Sequence, residues 1–308
     1  MHLPLTLLLP ARVIVPIFLI IGAGVLLDRW VRLDLPTLSK LSFVVFMPAI
    51  VLVTILENDL DLGLTRTVLT FTLIHAGLLL PLSWALFSIG PFRPRRSLLT
   101  LGAIVLNAGN YGLPLAVLAF GQRGTGVMAI ILMGQTLISF TLGVVLMAPR
   151  RRRWQEMALE LVKVPVLGVM ALALLLRLLR VDVPEAVMVP IRYLADGLVP
   201  IALLTLGVQI RRSRGVGRWA DLGVVTVVRL LLSPLLGLFL IVLWPLLGGV
   251  DLSATAPILV AAMGLPVAVN VYIFALEYDQ EPELASQMVF WTTLLSALTL
   301  TFWLTLVG

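Results

Sequence analysis

The chain has 308 residues, 60% of them apolar and only 12% charged, with a mean hydropathy of +1.09. A soluble domain carries about 25% charged residues, and disordered chains are poor in apolar ones, so both classes are excluded and lipid is the expected solvent. The absence of cysteine removes disulfide, thiol and zinc-thiolate chemistry, and two histidines, His2 and His75, are too few for a multi-histidine metal site.

Ten stretches have about the 20 apolar residues needed to cross a bilayer, roughly 11–30, 37–56, 67–89, 97–120, 125–148, 160–179, 188–209, 221–244, 253–276 and 285–306. The first is too long, and lacks the small-residue cleavage site, for a removable signal peptide. One set of loops holds fourteen basic residues, including Arg29, Arg32, Lys40, Arg93, Arg95, Arg96, the run Arg150–Arg153, Arg211, Arg212, Arg214 and Arg218. The opposite set holds six: Arg12, Arg66, Arg123, Arg177, Arg180 and Arg192. The richer side is expected in the cytoplasm, with both termini outside. The same asymmetry explains the net charge of +6 as a topology signal and removes the case for a nucleic-acid partner.

The chain also repeats itself. Gly112-Leu113-Pro114 in the fourth stretch returns 152 residues later as Gly264-Leu265-Pro266 in the ninth. Pro48 and Pro200 are also 152 apart, Pro81 and Pro234 are 153 apart, and Pro16 and Pro165 are 149 apart. Thr136 and Ser139 correspond to Thr293 and Ser296 at an offset of 157. Five pairs in order divide the chain into halves, residues 1–149 and 150–308, of five helices each. Because five is odd, the second half enters the membrane from the other side. The expected fold is an all-α polytopic membrane protein with a 5+5 inverted repeat, an architecture typical of secondary transporters.

Proline within a helix removes a hydrogen bond and clashes with the preceding turn. Such breaks are tolerated in a membrane only inside protein or beside a wet cavity. Helices 4 and 9 are therefore expected to be broken and to cross, with Pro114 and Pro266 each opening a new half-helix. Two helix N-termini facing one cavity would bind an anion without a lysine or arginine. Asn107, Asn110, Tyr111, Gly112, Pro114, Gly264, Pro266 and Asn270 are the expected substrate-binding residues, with Gln135 lining the same cavity. Of the ionisable residues inside spans, His75 is either a proton carrier or a neutral, hydrogen-bonded core residue. Arg229 either adds positive potential to the anion site or pairs with a carbonyl, and Asp196 reads as a structural partner near the outer surface.

The run from Asn107 to Gly121 resembles the fourth-span signature of the auxin efflux carrier family. The run from Gly264 to Tyr278, continuing to Ser296, is similar to that family's ninth and tenth spans, and Pro200 to Gly207 to its seventh-span motif. The resemblance implies a fold like the bile-acid and sodium–proton carriers. Helices 1, 2, 6 and 7 would form a scaffold that makes a homodimer, and helices 3–5 and 8–10 would form a moving transport domain. It also implies that Asn107 contacts a substrate carboxylate. Members include plant auxin carriers and bacterial permeases, some linked to malate. The chain lacks the long loop of many plant members, which points to a bacterial protein of the cytoplasmic inner membrane. The expected function is alternating-access transport of a small organic anion, with no cofactor and with H+ or Na+ as possible coupling ion. A sodium-coupled bile-acid-type symporter is the alternative, and a channel or a membrane-embedded enzyme are distant ones.

Overall fold

In the computed structural model, described over residues 5–57, 62–147, 165–213, 217–247 and 249–307, nearly every element is helical. We number the helices α1 (Leu5–Val31), α2 (Leu35–Glu57), α3 (Leu62–Phe87), α4 (Arg96–Ile104), α5 (Ala108–Met147) and α6 (Pro165–Leu178). They continue as α7 (Glu185–Asp196), α8 (Leu198–Arg212), α9 (Trp219–Leu243), α10 (Ala256–Met263), α11 (Val269–Glu277) and α12 (Pro282–Val307). The basic run Arg150–Arg153, Arg214 and the first residues of the sixth expected span lie outside the described residues.

Burial is distributed as in a protein solvated by lipid. Leu19, Trp30, Val242 and Leu298 are 68–73% exposed, while Arg229, Ser233 and Thr72 are fully buried. Water would not tolerate so much exposed apolar surface on a monomer. Among the described residues, seven helical stretches are long and apolar enough to cross a membrane: α1, α2, α3, α5, α7 with α8, α9 and α12. Three of the ten expected are missing from this count: the sixth is described only over the 14 residues of α6, and the other two are lost for physical reasons. Interrupted stretches break into pieces too short to span alone, namely α4, α10 and α11. The 40-residue α5, by contrast, is twice the usual span length, and it kinks at Gly121, whose φ of +61° and ψ of −156° suit a residue without a Cβ.

Three π-helical turns share one cause. Ser42–Phe46, Ala108–Gly112 and Val228–Leu232 each end two residues before a proline, at Pro48, Pro114 and Pro234. The ring crowds the carbonyl four residues back, and the helix widens to accommodate it. Pro234 also leaves the Leu230 carbonyl without its usual donor, and the Trp303 indole supplies one at 2.9 Å. Pro81, in contrast, sits inside the continuous α3.

Polar contacts sort the loops into two ends. At one, Arg211 and Arg212 hold the buried Asp28, Arg95 pairs with Asp221 at 2.9 Å, and Arg218 pairs with Glu281 at 2.8 Å. Asp34 caps α2 there, and the Thr37 hydroxyl and N–H hold its carboxyl below the usual range. At the other, Arg192 bridges Glu57 and Glu185, and Arg177 donates to the Ile55 carbonyl at 2.9 Å. The exposed Asp196 lies where α7 gives way to α8 at Gly197, whose α-carbon faces the Phe46 ring. Helix α1 packs along α8, and α2 packs on α6 and α7.

Candidate functional site

The chain leaves helical geometry between α4 and α5, at Val105–Asn107, and between α10 and α11, at Gly264–Ala268. These two interruptions lie side by side. Their main chains form an isolated antiparallel bridge between Leu106 and Val267. The Asn107 N–H donates to the Pro266 carbonyl at 2.9 Å, and the Ala268 N–H to the Val105 carbonyl at 3.0 Å. The outward N–H groups of the bridge are also satisfied, and by corresponding residues of the two halves. Leu106 donates to Gln135 Oε1 at 3.2 Å, and Val267 donates to Thr292 Oγ1 at 3.0 Å. Gln135 and Thr292 are 157 residues apart, the offset already seen for Thr136 and Thr293.

The sequence placed the helix restarts at the prolines, and the structure moves both. The first new helix begins at Ala108, with Asn107 as its cap, so Pro114 falls a turn and a half inside it. The π turn absorbs the missing hydrogen bond there. In the second interruption Pro266 belongs to the non-helical segment itself, and α11 starts at Val269. Proline suits both places, because an extended segment, like a widened turn, needs no N–H from it.

The first residues of both new helices wall one small cavity. Asn107, Ala108, Gly109 and Asn110 come from one side, and Ala268, Val269 and Asn270 from the other. Gln135, Thr136 and Ser139 of α5 and Phe43 and Met47 of α2 complete the wall. Neither helix start is capped by a side chain. Ala108 donates its N–H to the Leu106 carbonyl and Val271 to Ala268, but a helix start leaves its other first N–H groups without an intrahelical partner, so both ends offer donors and partial positive charge. Asn107 Nδ2, Gln135 Nε2 and Ser139 Oγ are buried in this wall and lack a hydrogen-bond partner among the described residues. Such groups are costly unless something bonds them. A wider hollow shares Phe43, Asn110, Val269 and Asn270 and runs past Phe140 and Phe274 toward Ser39 and Glu277. It leads to the end of the molecule that carries the Asp28 and Glu281 ion pairs.

Asn107, Asn110, Gln135 and Asn270 are therefore brought together at the cavity. Tyr111, Gly112, Pro114, Gly264 and Pro266 are not among its lining residues. The Tyr111 side chain is fully buried, and its oxygen accepts from Ser296 Oγ at 3.2 Å. Gly112 is a packing residue, because a Cβ there would lie 2.8 Å from Leu265 Cδ1 and 3.0 Å from Met128 Sδ. Gly264 ends α10 with its N–H on Val260 and Ala261, and Pro266 contributes its carbonyl to the bridge.

His75 and Arg229 sit behind the bridge rather than in the cavity. His75 Nε2 donates to the Ser233 carbonyl at 2.9 Å, and its ring stacks on Phe71. Arg229 pairs with carbonyls: NH1 donates to Ala103 at 2.8 Å and Ile104 at 3.1 Å, and NH2 to Met263 and the Ser233 hydroxyl. Sequence reasoning missed Phe43, Met47 and Ser139 as wall residues. Pro48, already paired with Pro200, was the signal for the first two, since the π turn before it brings Phe43 to the cavity.

Replacing Gln135 by leucine should leave the Leu106 N–H buried without a partner. The expected cost is about 1–3 kcal/mol, read as a lowered unfolding midpoint in detergent. A midpoint unchanged from the wild type would refute the role of Gln135 in holding the bridge.

Residues 154–304 match the family model described as membrane transport protein. An uncharacterized transporter of Methanothermobacter thermautotrophicus is similar to the chain, with 26% identity over 283 residues that cover 88% of each protein. Both matches are to transport proteins, and with the long apolar helices they support a multi-pass membrane protein that acts in transport.

Proposed function

We propose that this chain is a secondary carrier of the auxin efflux carrier kind, moving a small organic anion across a bacterial cytoplasmic membrane by alternating access. The observation that carries this reading is the cavity between the two helix starts, with the unpartnered Asn107 and Gln135 amides in its wall. Each helix start contributes roughly half a positive charge, so together they suit a carboxylate. The asparagine amides orient it, and the aromatic hollow beyond Asn110 takes the body of the molecule.

In this reading the chain crosses ten times, as two inverted five-helix halves. Helices α4 and α10 reach the bridge from opposite sides, and α5 completes the fourth crossing before Gly121 and makes the fifth after it. Helices α1, α2, α6, α7 and α8 form the scaffold and the homodimer contact, and the remaining helices move. The packing of α1 along α8 and of α2 on α6 and α7 supports that division. Both termini lie outside, and the driving ion is H+ or Na+.

The test is a panel of organic acids, including benzoate, indole-3-acetate and malate, applied to proteoliposomes. Currents on a solid-supported membrane are recorded with and without sodium and pH gradients. A saturable, counterflow-competent response to at least one acid is expected. Silence across the panel under all gradients rejects the carrier reading.

A further inference from the structure

We infer that Arg229 is the fixed countercharge of the interrupted helices, joining the C-terminal ends of α4 and α10 so that the opposing N-terminal ends keep a net positive field toward the cavity. The proposal rests on the carrier reading above and adds the residue that sets the charge preference of its site.

The geometry is specific. Helix α4 ends at Ile104 and α10 ends at Met263. One guanidinium reaches both ends, through NH1 to the Ala103 and Ile104 carbonyls and through NH2 to the Met263 carbonyl. Ser233 completes the junction. Its hydroxyl accepts from Arg229 NH2 and donates to the Met263 carbonyl at 2.9 Å. His75 in turn fixes the Ser233 main chain through its carbonyl. These partners lie 126, 125 and 34 residues away from Arg229, so a single side chain of α9 ties together the two halves of the molecule.

Charge explains why an arginine stands here. It is fully buried, and every hydrogen bond its guanidinium makes among the described residues goes to an uncharged oxygen. A buried cation is expensive unless compensated. A helix C-terminus carries roughly half a negative charge, so two of them offset about one unit. The ends that face the cavity carry roughly half a positive charge each. Without Arg229, negative ends a few residues behind the cavity would cancel much of that field. With it, the junction presents close to one positive charge, which matches one carboxylate. None of the hydrogen-bond partners of Arg229 among the described residues lines the cavity, so it is a positioning residue that acts through the helix ends.

The experiment compares the full-length wild type with Arg229→Met and Arg229→Lys in proteoliposomes. The probes are benzoate, indole-3-acetate and malate, each also supplied as its uncharged amide as a competitor. Arg229→Met should raise the KM for the acids at least tenfold while changing inhibition by the amides less than threefold. Arg229→Lys should recover at least half of the lost affinity on a logarithmic scale. A wild-type KM for the acids in Arg229→Met, or an equal loss for acids and amides, overturns the proposal. Hydrogen exchange in detergent gives a readout that needs no transported probe. Amides of residues 100–107 and 260–268 should both lose protection in Arg229→Met and regain it in Arg229→Lys, while α1 stays unchanged. Retained protection at either segment also overturns the proposal. Should no acid move through the wild type, the carrier reading falls, and exchange alone decides whether Arg229 joins the two helix ends. If Arg229→Met does not fold, Arg229→Lys is judged against the wild type by the same exchange and KM criteria.

Discussion

Asn107→Ala should cut the organic-acid current of reconstituted protein roughly ten- to a hundredfold at subsaturating acid while leaving the fold intact. The residue is 4% exposed, and its Nδ2 has no partner among the described residues. What Asn107 gives to the fold comes from its main chain, through the N–H on Pro266 and the carbonyl that accepts from Gly112. Alanine keeps both bonds, and the asparagine side chain makes no capping bond that would be lost. A hydrogen bond to a charged group contributes about 1.5–3 kcal/mol. Its removal from a bound carboxylate therefore lowers affinity by roughly one to two orders of magnitude. The check is the current amplitude across the acid panel, together with the unfolding midpoint in detergent. A normal current from a folded variant would remove Asn107 from the site. A lowered midpoint would instead assign it a structural task that the bond pattern does not contain.

The largest effect on stability is expected at Gly207. Helices α1 and α8 approach so closely that a Cβ on Gly207 would lie 2.1 Å from the Ile21 carbonyl oxygen and 2.9 Å from the Val25 nitrogen. Reciprocally, a Cβ on Gly24 would lie 2.3 Å from the Leu204 carbonyl oxygen. These collisions are with main chain, which cannot rotate away as a side chain does. Small residues at such interfaces are what allow helices to pack in lipid, where no hydrophobic force drives them together. Just beyond this contact, Arg211 and Arg212 hold Asp28, so pushing the helices apart also strains a buried ion cluster. Gly207→Val should cost about 3 kcal/mol or more, the upper part of the range for overpacking. The measurement is thermal unfolding in detergent with size-exclusion chromatography. Gly22→Ala on α1 serves as the control, since a Cβ there meets nothing within 4 Å. Equal midpoints for the two variants would mean that the α1–α8 contact is looser than described.

Composition alone identified lipid as the solvent, because no arrangement of a chain that is 60% apolar could hide its surface from water. The paired Gly-Leu-Pro triplets marked two stretches for interruption, and the chain leaves helical geometry near each, although Pro114 itself sits inside α5. Asn107, Asn110, Asn270 and Gln135 were legible as amides too polar for lipid, and they do converge on one cavity. The seventh-span run ending at Gly207 was legible as a motif, although not as a contact with Gly24.

Other features depended on partners far away in the chain. The direction of Tyr111 was not readable, because a π turn shifts the helical phase just where Tyr111 sits, and Ser296 decides where its hydroxyl ends. The choice for Arg229 between anion field and carbonyl pairing was open for the same reason. Its acceptors lie at the ends of α4 and α10, and only packing brings those ends together. Hydrophobicity is a property of single residues and helical period one of short segments, so a linear reading recovers both. Hydrogen bonds across an interruption follow from how two broken helices meet, and no local pattern encodes that meeting.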